Sequence, residues 1–99
     1  MLTEQELQKI AQWMTGEDNP LQAMQAVLAE YAEGVIASYR GTLEKMERKY
    51  GLDFGEFQRR LGESLPLSWE HERDYMEWEE AVTNLPEYQR IASQLKAHA

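Results

Sequence analysis

His71 is the side chain best placed for metal or proton chemistry in this sequence. Asp74 follows it by three residues and Tyr75 by four, so all three would share one face of a helix. Imidazole and carboxylate groups at this spacing could ligate a metal ion or exchange protons. Di-iron helical bundles, however, place Glu three residues before the histidine, and Ser68 occupies that position here. We therefore predict a structural or helix-capping role for His71 and no metal site.

The other reactive side chains form no specific catalytic motif. The chain has no cysteine, which excludes a disulfide framework and a thiolate zinc site. Phosphate-binding glycine loops are absent, and no serine has the context of a catalytic nucleophile. The 18 acidic residues in a chain of 99 produce close carboxylate pairs by chance. We predict a protein that is not an enzyme and has no cofactor; a helical-bundle metal protein or enzyme is the second alternative.

Acidic residues dominate the composition and are unevenly spread. The net charge is −8, divided into −5 over residues 1–34, +2 over residues 35–62 and −5 over residues 63–99. A chain of this charge is repelled by phosphate backbones unless its basic groups gather on one face. In the middle segment, the basic residues alternate with glutamates. Direct binding of nucleic acid is therefore not expected.

Neither a membrane-spanning segment nor a targeting segment is predicted. No uninterrupted apolar run approaches the roughly 18 residues that suggest a membrane span. The first residues lack the basic stretch and apolar run of a secretory signal. The lack of cysteine fits a reducing compartment. We expect one helical domain over residues 1–99, located in the cytoplasm.

A short helix and then a long one are predicted in the first half of the chain. Thr3 and Glu6 form a capping box for a helix over residues 4–15, which Gly16 ends. A second helix is predicted over residues 20–50, because apolar residues recur at steps of three and four throughout it.

The long helix would span roughly 45 Å, which is long for a domain of this size. Later helices must fold back along it, or a second chain must lie against it. We predict a homodimer contact at four positions: Leu28, Gly34, Val35 and Gly41. The lack of a side chain at the two glycines suits the close approach of another helix. The alternative is that one of these glycines breaks the segment into two shorter helices.

Three further helices are predicted in the second half. Asp53 caps a short helix that ends near Gly62. Ser68 caps a helix that runs to about Thr83, and the segment "NLPEY" restarts a final helix from Leu85 or Pro86 towards Lys96. The whole pattern predicts an all-α fold, a helical hairpin or bundle around one long helix.

The stretch "SWEHERDYMEWEEAV" combines aromatic side chains with six acidic residues. At helical spacing its apolar side is wide, since Tyr75 and Trp78 form one row and Trp69 begins a neighbouring row. One interpretation is an amphipathic helix with its aromatic side in the core and its acids in solvent. The other is that a tryptophan stays accessible inside an acidic rim and anchors a basic partner. The residues predicted to bind this partner are Trp69, Tyr75, Glu77, Trp78 and Glu79.

The segments "MERKYGLDFGEFQRRL" and "SWEHERDYMEWEEAV" together resemble the C-terminal part of small prokaryotic antitoxin-type proteins. The matching positions are Lys49, Tyr50, Gly51, Phe57, Asp74, Tyr75, Trp78 and Glu79. The resemblance covers about residues 46–82. It implies a protein whose acidic aromatic helix masks the basic, RNA-facing surface of a small toxin. Many such proteins also carry an N-terminal DNA-binding module, which residues 1–34 lack because they are acidic and contain no evident recognition helix.

The sequence thus predicts a binding protein of the antitoxin type that neutralises a small basic toxin-like partner. A homo-oligomeric structural protein without any other partner is the first alternative, because the long helix and its small residues would suffice for it.

Overall fold

Helices make up nearly all of the protein. The computed structural model describes residues 1–98 and contains α1 (Glu4–Thr15), α2 (Pro20–Tyr50), α3 (Phe54–Arg60) and α4 (Trp69–Ala97). Within these residues no strand forms, and Leu61 and Leu65 make only an isolated bridge. The predicted all-α class is confirmed.

Local sequence signals explain where the helices begin. The cap residues are Thr3, Asn19, Asp53 and Ser68. Each side-chain oxygen accepts a hydrogen bond from a backbone N–H of the first turn, which otherwise has no intrahelical partner. The ends of α1 and α2 are equally local, because Gly16 and Gly51 adopt left-handed backbone angles with φ of 73° and 65°.

Helix α2 runs unbroken through both of its internal glycines. Gly34 and Gly41 lie in regular helix, so the predicted alternative of two shorter helices is wrong. Each glycine costs about 1 kcal/mol relative to Ala. The 31 residues of α2 extend along α4, and tertiary packing of this kind, rather than propensity, stabilises most helices.

Helix α4 is also continuous, and this corrects the prediction of two helices separated near Thr83. Pro86 lies inside α4 and removes one backbone hydrogen bond, at a usual cost of about 3 kcal/mol. Burial of Ala81 and Leu85, in the turns just before Pro86, opposes that cost. Packing of α4 along α2 therefore overrides the local signal to stop.

Helices α2 and α4 form an antiparallel hairpin. Near one end, Gln25 Nε2 donates to the backbone oxygen of Leu95 at 2.9 Å. Towards the other end, Lys45 Nζ lies 2.9 Å from a carboxylate oxygen of Glu77. Helix α1 packs against α2, and α3 packs against α4. The result is an elongated molecule of 57 × 32 × 17 Å.

The core lies at the end of the hairpin where α2 finishes and α4 starts. Met46, Phe57 and Trp78 are completely buried there. The Phe57 and Trp78 ring centroids are 5.1 Å apart, and those of Phe54 and Trp78 are 5.6 Å apart. Aromatic pairs at these distances stabilise a core beyond their buried area. Helix α3 supplies both phenylalanines and so closes this end of the molecule.

Candidate protein-binding site

Trp78 belongs to the core and is not a surface anchor. Its side chain has no exposed area, and the rings of Phe54 and Phe57 from the α3 helix lie against it. A binding anchor must be accessible to the partner. The prediction that Trp78 contacts a partner is corrected on this ground, and the physical reason is that α3 covers this side of α4.

Tyr75 and Glu77 also face other parts of the chain. The Tyr75 ring stacks on Phe54 at 5.6 Å, and its hydroxyl accepts a hydrogen bond from Gln58 Nε2 at 3.2 Å. Glu77 forms the ion pair with Lys45 across the hairpin. Both side chains remain partly accessible, but each is occupied by a contact within the protein. The prediction that Tyr75 and Glu77 bind a partner stays a prediction.

Trp69 and Glu79 do lie on the outside, and they define a different face of α4. We call this surface the acidic face; it consists of Trp69, Glu72, Met76, Glu79 and Glu80. At 100° per residue these positions fall within an arc of about 100°. The Trp69 side chain is 77% exposed and Met76 is 69% exposed, seven residues further along the same row. The three glutamates are exposed as well.

The carboxylates of α4 divide between its two sides. On the side towards α2, Glu70, Asp74 and Glu77 pair with Lys45 or Lys49. On the acidic face, within residues 1–98, the three glutamates form no ion pair. Arg73 stands at the edge of this face. The α2 lysines therefore neutralise the inner carboxylates, whereas the outer ones have no ion-pair partner within residues 1–98.

A buried carboxylate holds the start of α4 in this orientation. Asp74 is 3% exposed and lies 2.6 Å from Lys49 Nζ; the Tyr50 hydroxyl donates to it at 2.5 Å. Burial by itself would raise the pKa of Asp74, but the hydrogen bonds from Lys49 and Tyr50 outweigh it and lower that pKa. Burial and the hydrogen bond to Asp74 raise the pKa of Tyr50 to about 12. One carboxylate oxygen of Asp74 thus has two partners from α2, and with Trp78 this residue fixes which side of α4 points inward.

His71 has a structural role at the same end. Its backbone N–H donates to the Ser68 hydroxyl as part of the helix cap. Its Nδ1 donates to the backbone oxygen of Pro66 at 2.6 Å, and its ring lies 5.8 Å from that of Tyr50. These contacts tie the connector before α4 to the core.

The predicted dimer residues occupy two sides of α2. Leu28 is exposed and Val35 is half-buried on one side. Gly34 and Gly41 lie on another side, and a Cβ added to either would meet no atom within 4 Å. No helix of this chain therefore approaches the glycines closely, and the homodimer remains a prediction.

A second exposed surface, which the spacing of residues did not reveal, lies at the opposite end of the hairpin. We call it the N-terminal apolar surface; its residues are Leu7, Ile10, Trp13, Met14, Leu21, Met24, Leu28 and Tyr31. Their side chains are between 45% and 87% exposed. Helix α1 contacts α2 but contains no buried residue. In the sequence its signal was the apolar row Leu21, Met24, Leu28 and Tyr31, but spacing does not show whether another helix covers such a row.

Membrane-spanning helices and metal-binding clusters are both absent from residues 1–98. No helix within residues 1–98 is both long enough and apolar enough to cross a membrane. In this part of the chain no three His, Asp or Glu side chains are grouped so that they could hold a metal ion. No protein-family model matches the chain, and neither a curated protein nor a solved structure matches it.

Proposed function

We propose that this protein is a binding module that recognises a basic surface on another protein through the acidic face of α4. The observation that supports this most directly is Trp69, an indole that is 77% exposed among glutamates without ion-pair partners in residues 1–98. Exposed tryptophan is costly to leave in water and is enriched among the residues that dominate binding energy. Its position therefore favours a partner that covers it.

The two kinds of side chain on this face have different tasks in binding. The glutamates attract a cationic surface over a distance and set the orientation of the encounter, so they act mainly on the association rate. Trp69 and Met76 supply apolar area that is removed from water once the partner is in place. The complex is accordingly expected to weaken with salt without being abolished by it, since the apolar contribution is not screened.

The partner that fits best is a small basic protein of the toxin type that the resemblance implies. Its basic surface would serve to bind RNA, so an acidic face of similar extent could occupy it in competition with the phosphate backbone. The proposed activity is therefore neutralisation by masking, with no covalent chemistry.

The residues that carry the resemblance have separate roles in this proposal. Tyr50, Phe57, Asp74 and Trp78 build or support the core. Glu79 lies on the acidic face. The shared motif would thus hold the binding helix in position, while other side chains of α4 make most of the contact.

The proposal is tested by capturing partners on the full chain and then measuring their affinity. We expect small basic proteins to be retained from the native cell at low salt and identified by mass spectrometry. The dissociation constant of a retained protein should rise by about tenfold or more in Trp69→Ala, which corresponds to loss of a binding anchor. The triple variant Glu72→Lys, Glu79→Lys and Glu80→Lys should slow association most strongly at low salt.

Trp13→Ala is the matched control, because Trp13 is 87% exposed but lies on α1. It should leave this affinity unchanged. Equal affinity of Trp69→Ala and the unaltered chain for every retained protein would contradict the proposal, as would retention that does not depend on salt.

A further inference from the structure

The N-terminal apolar surface is too large to be explained as scattered exposed residues. Its eight large apolar side chains come from only two elements, α1 and the first half of α2. Trp13 and Leu21, at 87% and 74% exposure, are hardly covered by the chain itself. Leu21, Met24, Leu28 and Tyr31 share one row of α2, next to which α1 packs. Soluble monomers seldom leave large apolar areas in water unless another molecule covers them.

The elongated shape of the chain, 57 × 32 × 17 Å, exposes more surface than a compact monomer of the same mass would. The accessible surface is 7461 Å². A compact monomer of 11.6 kDa would expose only about 5,800 Å², so this chain exposes roughly 1,600 Å² more. A stable dimer of standard size buries roughly 800 Å² of each subunit. The excess is therefore sufficient for an interface with a second chain of comparable size.

The distribution of charge selects the kind of partner. From Pro20 to Ala29 the chain contains no charged residue at all. Such a stretch neither attracts a basic partner nor repels a copy of itself, whereas the acidic face of α4 would repel its own copy. In a two-fold dimer the same surface is used by both subunits, which requires a surface without strong net charge.

We infer that two copies of this protein associate through their N-terminal apolar surfaces. Leu21, Met24 and Leu28 of each α2 lie at the centre of the interface, and Trp13 and Met14 of α1 lie beside them. The acidic faces of α4 are elsewhere on the molecule and remain accessible, so the dimer does not depend on the proposed binding of a basic protein. This interface differs from the glycine side of α2.

Sedimentation equilibrium over a wide range of concentration tests this inference. The unaltered chain should show twice the mass of one chain and dissociate only on dilution, equally at low and high salt, because its interface is apolar. Leu21→Glu should raise the dissociation constant of the dimer at least about a hundredfold, since two buried carboxylates would be introduced at one interface. Met24→Gln is a milder second variant and should raise it about tenfold.

Three controls make the result specific. Helix content by circular dichroism should be unchanged in both variants, because Leu21 and Met24 are exposed in the single chain. Met76→Gln, on the acidic face, should leave the dimer intact. Gly34→Ala with Gly41→Ala should leave it intact as well, whereas dissociation in this double variant would place the contact on the glycine side instead.

A chain that stays monomeric at every concentration would overturn the inference and leave the surface for a different polypeptide. A dimer that survives both Leu21→Glu and Met24→Gln would also overturn it.

Discussion

The two ends of the helical hairpin are built from the same two helices, yet one has a closed core and the other does not. At the end formed by the last turns of α2 and the first turns of α4, Met46, Phe57 and Trp78 are completely buried. At the other end, α1 contacts the first half of α2, but none of the α1 residues is buried. The difference lies in the third helix that each end receives.

Helix α3 is only seven residues long, but it brings two aromatic rings against Trp78. Helix α1 has twelve residues, but its large apolar side chains remain between 45% and 87% exposed. The closed end contains the completely buried aromatic side chains of the single chain, whereas the open end leaves its large apolar side chains exposed. The acidic face and the N-terminal apolar surface consist of side chains that take no part in the buried cluster of Met46, Phe57 and Trp78.

The largest expected change in the free energy of unfolding is for Trp78 at the closed end, compared with Trp13 at the open end. Trp78→Ala should lower the free energy of unfolding by about 3–5 kcal/mol, because it leaves a large cavity in the closed core. Trp13→Ala should change it by less than about 0.5 kcal/mol in dilute solution, where the chain is monomeric. Urea unfolding followed by circular dichroism measures both. If both variants lowered the free energy of unfolding by a similar amount, the distinction between a closed and an open end would be wrong.

The next effect concerns the buried carboxylate of the closed end. Asp74→Asn should lower the free energy of unfolding by about 1–3 kcal/mol at neutral pH, because the hydrogen bonds to the ionised group are lost or weakened. Since folding lowers the pKa of Asp74, the carboxylate contributes fully above its unfolded pKa of about 4, and the contribution is lost as the pH falls through the lower folded value. The two proteins should therefore converge in stability below about pH 4. A difference that persists unchanged into acid would show that Asp74 does not stabilise the fold as a carboxylate.

Loss of a helix cap should affect global stability at the closed end and local opening at the open end. Ser68→Ala and Thr3→Ala each remove a cap worth about 1 kcal/mol. Loss of the α4 cap should lower the free energy of global unfolding, whereas loss of the α1 cap should mainly increase local opening of α1. Hydrogen exchange of backbone amides resolves the two cases. If Thr3→Ala lowered global stability as much as Ser68→Ala, α1 would belong to the same cooperative unit as the core.

The smallest effect is expected from the exposed ion pair in the hairpin. Glu77→Gln should change the free energy of unfolding by less than about 1 kcal/mol, because both it and Lys45 remain accessible to water. Added salt should reduce even this difference. Thermal unfolding measures the change. If Glu77→Gln lowered the free energy of unfolding as much as Asp74→Asn does, the exposed ion pair would contribute as much as the buried carboxylate, and the difference in burial would not matter.

Much of the helical pattern could be predicted from local signals. The bounds of α1 and α2 follow from Thr3, Gly16, Asn19 and Gly51, which act within one turn of the backbone. The interruption predicted near Thr83 is wrong because packing along α2 carries α4 through Pro86. Such packing involves residues far apart in sequence, so the local pattern contains no trace of it.

The binding surfaces were harder to predict than the helices. Trp69 and Trp78 lie on one helix, nine residues apart, and each belongs to an apolar row of suitable spacing. Only the position of α3 and the contact of Asp74 with Lys49 decide that Trp78 is inside and Trp69 outside. The exposure of Leu21 and Met24 has the same origin, since spacing identifies an apolar face but not whether another helix covers it.

By itself, the sequence determined the bounds of α1 and α2, the cap residues, the acidic charge and the lack of a catalytic motif, because these depend on residue type and on neighbours within a turn or two. The tertiary structure alone decided which tryptophan is available, which glutamates lack a lysine partner and which end of the hairpin stays open. Those properties depend on the rotation of each helix about its axis and on how much of its neighbour it covers, and both are set by contacts between residues distant in the chain.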